Sequence, residues 1–168
     1  MRPDVQLGDL DDDALSRLVL HAVPDTDVGE VMPSESGAAT WTPQRLREFI
    51  SFHHGRRGGL DGPVGEVGFV VLVDGVASGI VRLQRLGPDS MEVGMWLTRS
   101  ARGGGIGGRV LADAARRAAE LGARKLVANT TAPNRAALAA LIRIGAEIHP
   151  AAPNGRVSAE LDLTTYAR

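Results

Sequence analysis

Residues Gly103-Gly104-Gly105-Ile106-Gly107-Gly108 hold five glycines in six positions, and Arg102 stands directly before them. An extended-type segment, Met91 to Leu97, leads into this run, and an amphipathic pattern from Ile106 to Leu121 follows it. Glycines at a strand-to-helix turn let the backbone approach a ligand without interference from a Cβ. The first amides of the helix have no partner inside it, and the helix dipole favours negative charge there. The chemistry predicted for this segment is phosphate binding. Glu92 is the one carboxylate of the lead-in segment. It shares a face with Gly94 and Trp96 by the strand period of two, and it is the best candidate for a general base.

Three glycine-rich patterns compete for the loop. A P-loop needs Lys and Ser or Thr after its last glycine. Gly103 and Gly108 have the spacing, but Arg109 and Val110 stand in those places, so the P-loop is rejected. The dinucleotide pattern G-x-G-x-x-G fits Gly103, Gly105 and Gly108, but it calls for an acid about 20 residues on, at the end of the next strand. That strand ends Leu126-Val127-Ala128-Asn129, with no carboxylate. The third pattern is R-x-x-G-x-G, met by Arg102, Gly105 and Gly107. A purely structural turn rarely needs five glycines.

The elements that must position these residues can be read from period and punctuation. Val5-Gln6-Leu7 reads as a first strand, and Asp9 or Asp11 caps a helix running to about His21. Pro24, Gly29, Pro33, Ser34, Ser36 and Gly37 make 23–40 a long loop or broken helix. Thr42-Pro43 opens a helix with Leu46, Phe49, Ile50 and His53 on one face, and a glycine-rich stretch, 55–65, follows it. Residues 66–73 and 76–83 flank Asp74-Gly75, the best hairpin turn in the chain. With 91–97 they form an antiparallel meander. The helix at 105–121 buries Ile106, Val110, Ala114, Ala118 and Leu121, with Gly122 just past its end. Residues 125–129 form a strand parallel to 91–97, because a helix crosses between them. Asn134 caps a last helix that Gly145 ends, and 147–149 and 156–163 close the sheet. Val70, Leu72, Ile80 and Leu83 belong to the core.

At the glycine run the chain resembles the GNAT acetyltransferases, which bind acetyl-CoA. The segment Asn134-Arg135-Ala136-Ala137-Leu138-Ala139-Ala140-Leu141-Ile142-Arg143-Ile144-Gly145-Ala146 is similar to that family's second signature, an Asn at a helix start with a Gly eleven residues on. Met91 to Leu97 is similar to the equivalent strand in the branch acting on protein N-termini and small amines. The resemblance is specific over 91–146, unspecific over 66–90, and rests on element order alone over 1–65. It implies an α/β fold in a single domain, 1–168, with the cofactor-binding core at 66–146. The expected architecture is a mixed sheet of about seven strands, a meander followed by a splayed parallel pair, with about four helices. It also implies that Met95 and Leu97 present backbone to the pantetheine arm. The amides of Gly103, Gly104, Gly105, Gly107 and Gly108 would hold the pyrophosphate, with a donor fork from Arg102, and Asn134 would contact the CoA arm. Glu92 would act as base, commonly through water. The family's usual general acid is a tyrosine seven residues after the motif Asn, and Leu141 stands there.

The expected function is therefore acetyl transfer from acetyl-CoA to a primary amine by direct attack in a ternary complex. A small-molecule amine comes first and a protein N-terminus or lysine second. A non-catalytic CoA-binding regulatory domain is the rival that Leu141 motivates. The preference for a small amine rests on Asp25, Asp27, Glu30 and Glu35, which give the 23–40 loop a negative character. His21, His53 and His149 are weaker candidates for the acceptor cleft. Trp41 either packs under the loop or stacks on substrate, and Tyr166, the one tyrosine, reads as a packing residue.

Composition narrows the classes further. The 168 residues carry 19 Lys and Arg against 20 Asp and Glu, a net charge of −1, so no basic field exists for nucleic acid or an anionic membrane. The longest apolar run, Phe69 to Val73, is far too short to span a bilayer. With no signal-like segment at the start, a cytoplasmic protein is expected. The absence of cysteine removes disulfides, thiolate metal sites and an acyl-cysteine intermediate. The histidines show no metal spacing, so no metal is expected. The oligomeric state is not set by the sequence, and a homodimer stays open.

Overall fold

The computed structural model describes residues 2–32 and 40–166. Seven strands are hydrogen-bonded in the order β1-β2-β3-β4-β5-β7-β6: β1 Val5–Asp9, β2 Glu66–Val73, β3 Val76–Arg85, β4 Ser90–Leu97, β5 Lys125–Thr131, β6 Glu147–Ile148 and β7 Arg156–Asp162. The sheet is mixed, as expected: β1 runs antiparallel to β2, β4 parallel to β5, and β7 antiparallel to both β5 and β6. Five α-helices are present among the described residues: α1 Asp12–Arg17, α2 Val28–Val31, α3 Pro43–His54, α4 Ile106–Glu120 and α5 Arg135–Arg143.

The chain forms two compact units, and β3 and β4 each run through both. The first unit comprises Met1–Val81 and Met95–Arg102. Its helical part starts where Asp11 accepts the Ala14 amide, which settles the choice of cap between Asp9 and Asp11. The helix then widens to a π-turn at Leu18–Ala22 and tightens to a 3₁₀ turn at Val23–Asp25. Thr42 caps α3 through the Arg45 amide, with Pro43 at the first position. Leu15, Leu18, Val23, Phe49, Val70 and Ile80 make the core of this unit, with Trp41 and Trp96 packed against it. The turn between β2 and β3 has positive φ at both Asp74 and Gly75, the geometry of a type I′ hairpin.

The second unit comprises Arg82–Gly94 and Gly103–Arg168. Here α4 and α5 pack together, and the core includes Met91, Val93, Val110, Leu111, Ala114, Leu126, Leu141, Ala159 and Leu161. The expected α4 stripe needs one correction. Leu121 is exposed, while Leu111 and Ala115 are buried. Steps of four residues drift off a helix of 3.6 residues per turn, and Leu121 lies at the C-cap, beyond the last helical residue. Gly122 and Gly145 end α4 and α5 with paired terminal bonds: Ala123 N–H to the Ala118 carbonyl and Gly122 N–H to Ala119, then Ala146 N–H to Leu141 and Gly145 N–H to Ile142.

Candidate active site

The loop before α4 owes its shape to backbone handedness. Gly103, Gly104 and Gly105 have φ of 83°, 57° and 79°, three successive left-handed residues that any side chain would strain. Gly105 is the N-cap of α4. Ile106 N–H turns back to the Gly103 carbonyl, and Arg109 N–H is the donor that reaches Gly105. The amides of Gly107 and Gly108 between them belong to the helix's first turn, where no intrahelical acceptor exists. A run of amides at the positive end of a helix of 15 residues fits a pyrophosphate.

The strand leading to the loop leaves its parallel partner. The β4–β5 ladder runs from Ser90↔Lys125 to Val93↔Ala128 and stops, though β4 continues through Leu97 and β5 through Thr131. The two strands are parallel, as the resemblance implied, and the ladder ends inside both. Glu92 lies one pair before that end, half-buried, and its Oε2 accepts a hydrogen bond of 2.9 Å from Asn129 Nδ2. Asn129 is the first residue of β5 beyond the ladder. Arg82 lies along the same face, with its Nη2 3.2 Å from where a Cβ on Gly94 would stand.

Met95 and Leu97 lie on β4 beyond the ladder. The Leu97 carbonyl accepts from Arg102 Nε at 3.2 Å and Nη2 at 3.1 Å. The Arg102 guanidinium also clasps Glu30, with Nη1 on Oε1 at 3.2 Å and Nη2 on Oε2. Its fork is therefore engaged by protein groups. Asn134 caps α5: its Oδ1 accepts the Ala137 amide at 3.1 Å.

A protein-family model for the acetyltransferase (GNAT) domain matches residues 7–147. The chain belongs to the GNAT acetyltransferase family. No curated protein matches it. Among solved structures, the fold is similar to an N-acetyltransferase from Staphylococcus aureus Mu50, at 19% identity and a TM-score of 0.70 over 96% of this chain and 99% of that one. It is also similar to Mycobacterium smegmatis RimJ in complex with CoA-disulfide, at 19% and 0.70 over 94% and 81%. YncA, a putative acetyltransferase from Salmonella typhimurium with its cofactor acetyl-CoA, follows at 14% and 0.68 over 100% and 98%.

Two readings of this GNAT chain change with the structure in hand. The acids of the 23–40 loop do not form an open negative field. Asp25 accepts the Ser100 amide at 2.9 Å, Asp27 pairs with Arg99 at 2.5 Å, and Glu30 pairs with Arg102. Hydrogen bonds from the Ser100 hydroxyl and amide hold the Asp25 carboxyl below its ordinary value of 3.8. Thus three acids neutralise the 99–102 turn instead of facing a substrate, while Glu35 lies outside the described residues. The histidines also sort themselves. His53 is buried against the edges of Phe49 and Phe52, and His54 lies 3.1 Å from Asp12. His21 is exposed, and His149 Nε2 is 3.9 Å from Glu160 Oε1. Trp41 packs on Phe49 and donates to the Thr26 carbonyl, so it supports the start of the loop.

Leu141 is 4% exposed and belongs to the core, so its position supplies no proton. Sequence reasoning missed Asn129 as a partner of Glu92. Its signal was only a strand-end amide where a dinucleotide site would place an acid. Among the described residues no group of three His, Asp or Glu side chains is arranged to hold a metal ion. No helix among them is long and apolar enough to cross a membrane.

Proposed function

We propose that the chain, acting as one domain over 1–168, transfers an acetyl group from acetyl-CoA to a primary amine. The observation that carries the reading is the left-handed glycine loop opening α4, placed after a strand whose parallel ladder ends at Val93, with the Glu92 carboxylate beside that end. The loop amides bind the pyrophosphate, the β4 backbone beyond its ladder with β5, at Met95 and Leu97, takes the pantetheine arm, and Asn134 contacts the arm at the start of α5.

Glu92 then acts as base, directly or through water. The amine nitrogen attacks the thioester carbonyl carbon, its proton passes to Glu92, and the C–S bond breaks to release thiolate. The demand on the base depends on the acceptor. A lysine-type ammonium with pKa near 10.4 is neutral in only about one molecule in 2,500 at pH 7, a cost of roughly 4.6 kcal/mol. An α-amine near pKa 7.8 costs only about 1.1 kcal/mol. With Leu141 sealed in the core, the thiolate, of ordinary pKa near 8.5, takes its proton from solvent.

A small-molecule amine is the preferred acceptor and a protein N-terminus or lysine the second. The loop acids are paired elsewhere and no longer bear on this order, while a base at Glu92, held by Asn129, suits an alkylamine of either source over an α-amine. Leu141 favours a second reading, a CoA-binding regulatory domain without turnover. Thiol release from acetyl-CoA across a panel of amines, measured beside CoA binding, separates the two. Turnover supports the enzyme, tight binding without turnover supports the regulator, and no binding removes both.

A further inference from the structure

The cation that reaches the glycine loop comes from α5. A Cβ built on Gly105 would stand 2.8 Å from Arg143 Nη1, and one on Gly108 would stand 3.5 Å from Arg143 Cδ. The aliphatic stem of Arg143 therefore runs past the first turn of α4, and its guanidinium lies against the left-handed N-cap. Among the described residues Arg143 makes no ion pair, whereas Arg102 is held by Glu30 and the Leu97 carbonyl. A guanidinium set without a carboxylate at the positive end of a helix meets partial charges of its own sign. An anion lodged between the two turns that repulsion into attraction on both sides. Five N–H donors in a planar fork suit a phosphate better than any other common anion except carboxylate.

We infer that Arg143, rather than Arg102, supplies the charged fork to the pyrophosphate at the loop. The inference rests on the acetyl-CoA reading above, and its test keeps the two apart. Calorimetry would compare wild type, Arg143→Gln and Arg143→Lys with CoA, 3′-dephospho-CoA and S-acetylpantetheine, with melting curves beside them. Arg143→Gln is expected to weaken CoA and 3′-dephospho-CoA alike, by about 10- to 100-fold. It should leave S-acetylpantetheine, which has no pyrophosphate, and the melting midpoint unchanged. Lys, which keeps the charge but not the fork, should recover part of the loss. Affinity for CoA within about twofold of wild type would overturn the assignment, taking a tenfold change as 1.4 kcal/mol. A loss that disappears with 3′-dephospho-CoA would also overturn it, because Arg143 would then serve the ribose phosphate. Wild-type protein that binds no CoA removes the functional reading itself, and that arm is independent of any variant.

Discussion

At the scale of the residue, Glu92 and Asn134 each have two possible jobs that substitution can separate. Glu92 is fixed by the Asn129 amide at the end of the β4–β5 ladder. If it takes the proton from the attacking amine, Glu92→Gln should lower kcat for an alkylamine by about 10²-fold with CoA affinity intact. The loss should be smaller for an α-amine, whose proton is cheaper to remove. Unchanged kcat with both acceptors removes Glu92 from the mechanism. Asn134 uses its Oδ1 as a helix cap, and its Nδ2 is the group available to the CoA arm. Asn134→Asp keeps the cap oxygen and loses the donor, so it should spare the melting midpoint while weakening CoA. Asn134→Ala should also cost about 1 kcal/mol of stability. Equal melting loss in both variants would contradict the division. The place of Glu92 on β4 was legible in the sequence, because strand period and chain position suffice to give it. Asn129 could not, because its bond depends on how β4 and β5 are registered, and nothing local to either strand encodes that register.

Among the elements, the short α2 segment and the 99–102 turn are joined by three contacts between acids and the turn: Asp25 to Ser100, Asp27 to Arg99 and Glu30 to Arg102. Each contact is partly exposed and weak alone in water, so their effect lies in acting together. The Asp25 carboxyl titrates below 3.8 because it accepts from Ser100. A depressed folded pKa means that its contribution is complete above the unfolded value and is lost as pH falls through the folded one. The Ser100 amide shift, followed by NMR down to about pH 2, should therefore titrate with a midpoint below 3.8, and the titration should vanish in Asp25→Asn. A midpoint at or above that value would contradict the contact. The strands, the caps at Thr42 and Asn134 and the glycine stops were legible from the sequence, since each depends on residues within one helical turn or strand. The π-turn after α1 and the fate of the loop acids were not. Counting charges along a chain shows where acids are, and their partners here stand about 70 residues away.

For the molecule as a whole, family membership and strand order fit what the glycine run and the Asn134 signature implied, across a match from residue 7 to residue 147. What a linear reading could not show is how the chain is shared between its two compact units. It passes from the first to the second after Val81, returns at Met95, and leaves again after Arg102. Two of those passages lie inside hydrogen-bonded strands. No single cut can therefore release either unit as a continuous fragment. Limited tryptic cleavage at Arg56 or Arg57, in the turn after α3, should give two pieces that stay together through gel filtration and part only in denaturant. Separation under native conditions would contradict the core of the first unit, where Leu15, Leu18 and Phe49 pack with Val70 and Ile80 across the cut. A boundary drawn for expression of half the chain would face the same obstacle, since neither unit is one continuous stretch of the sequence.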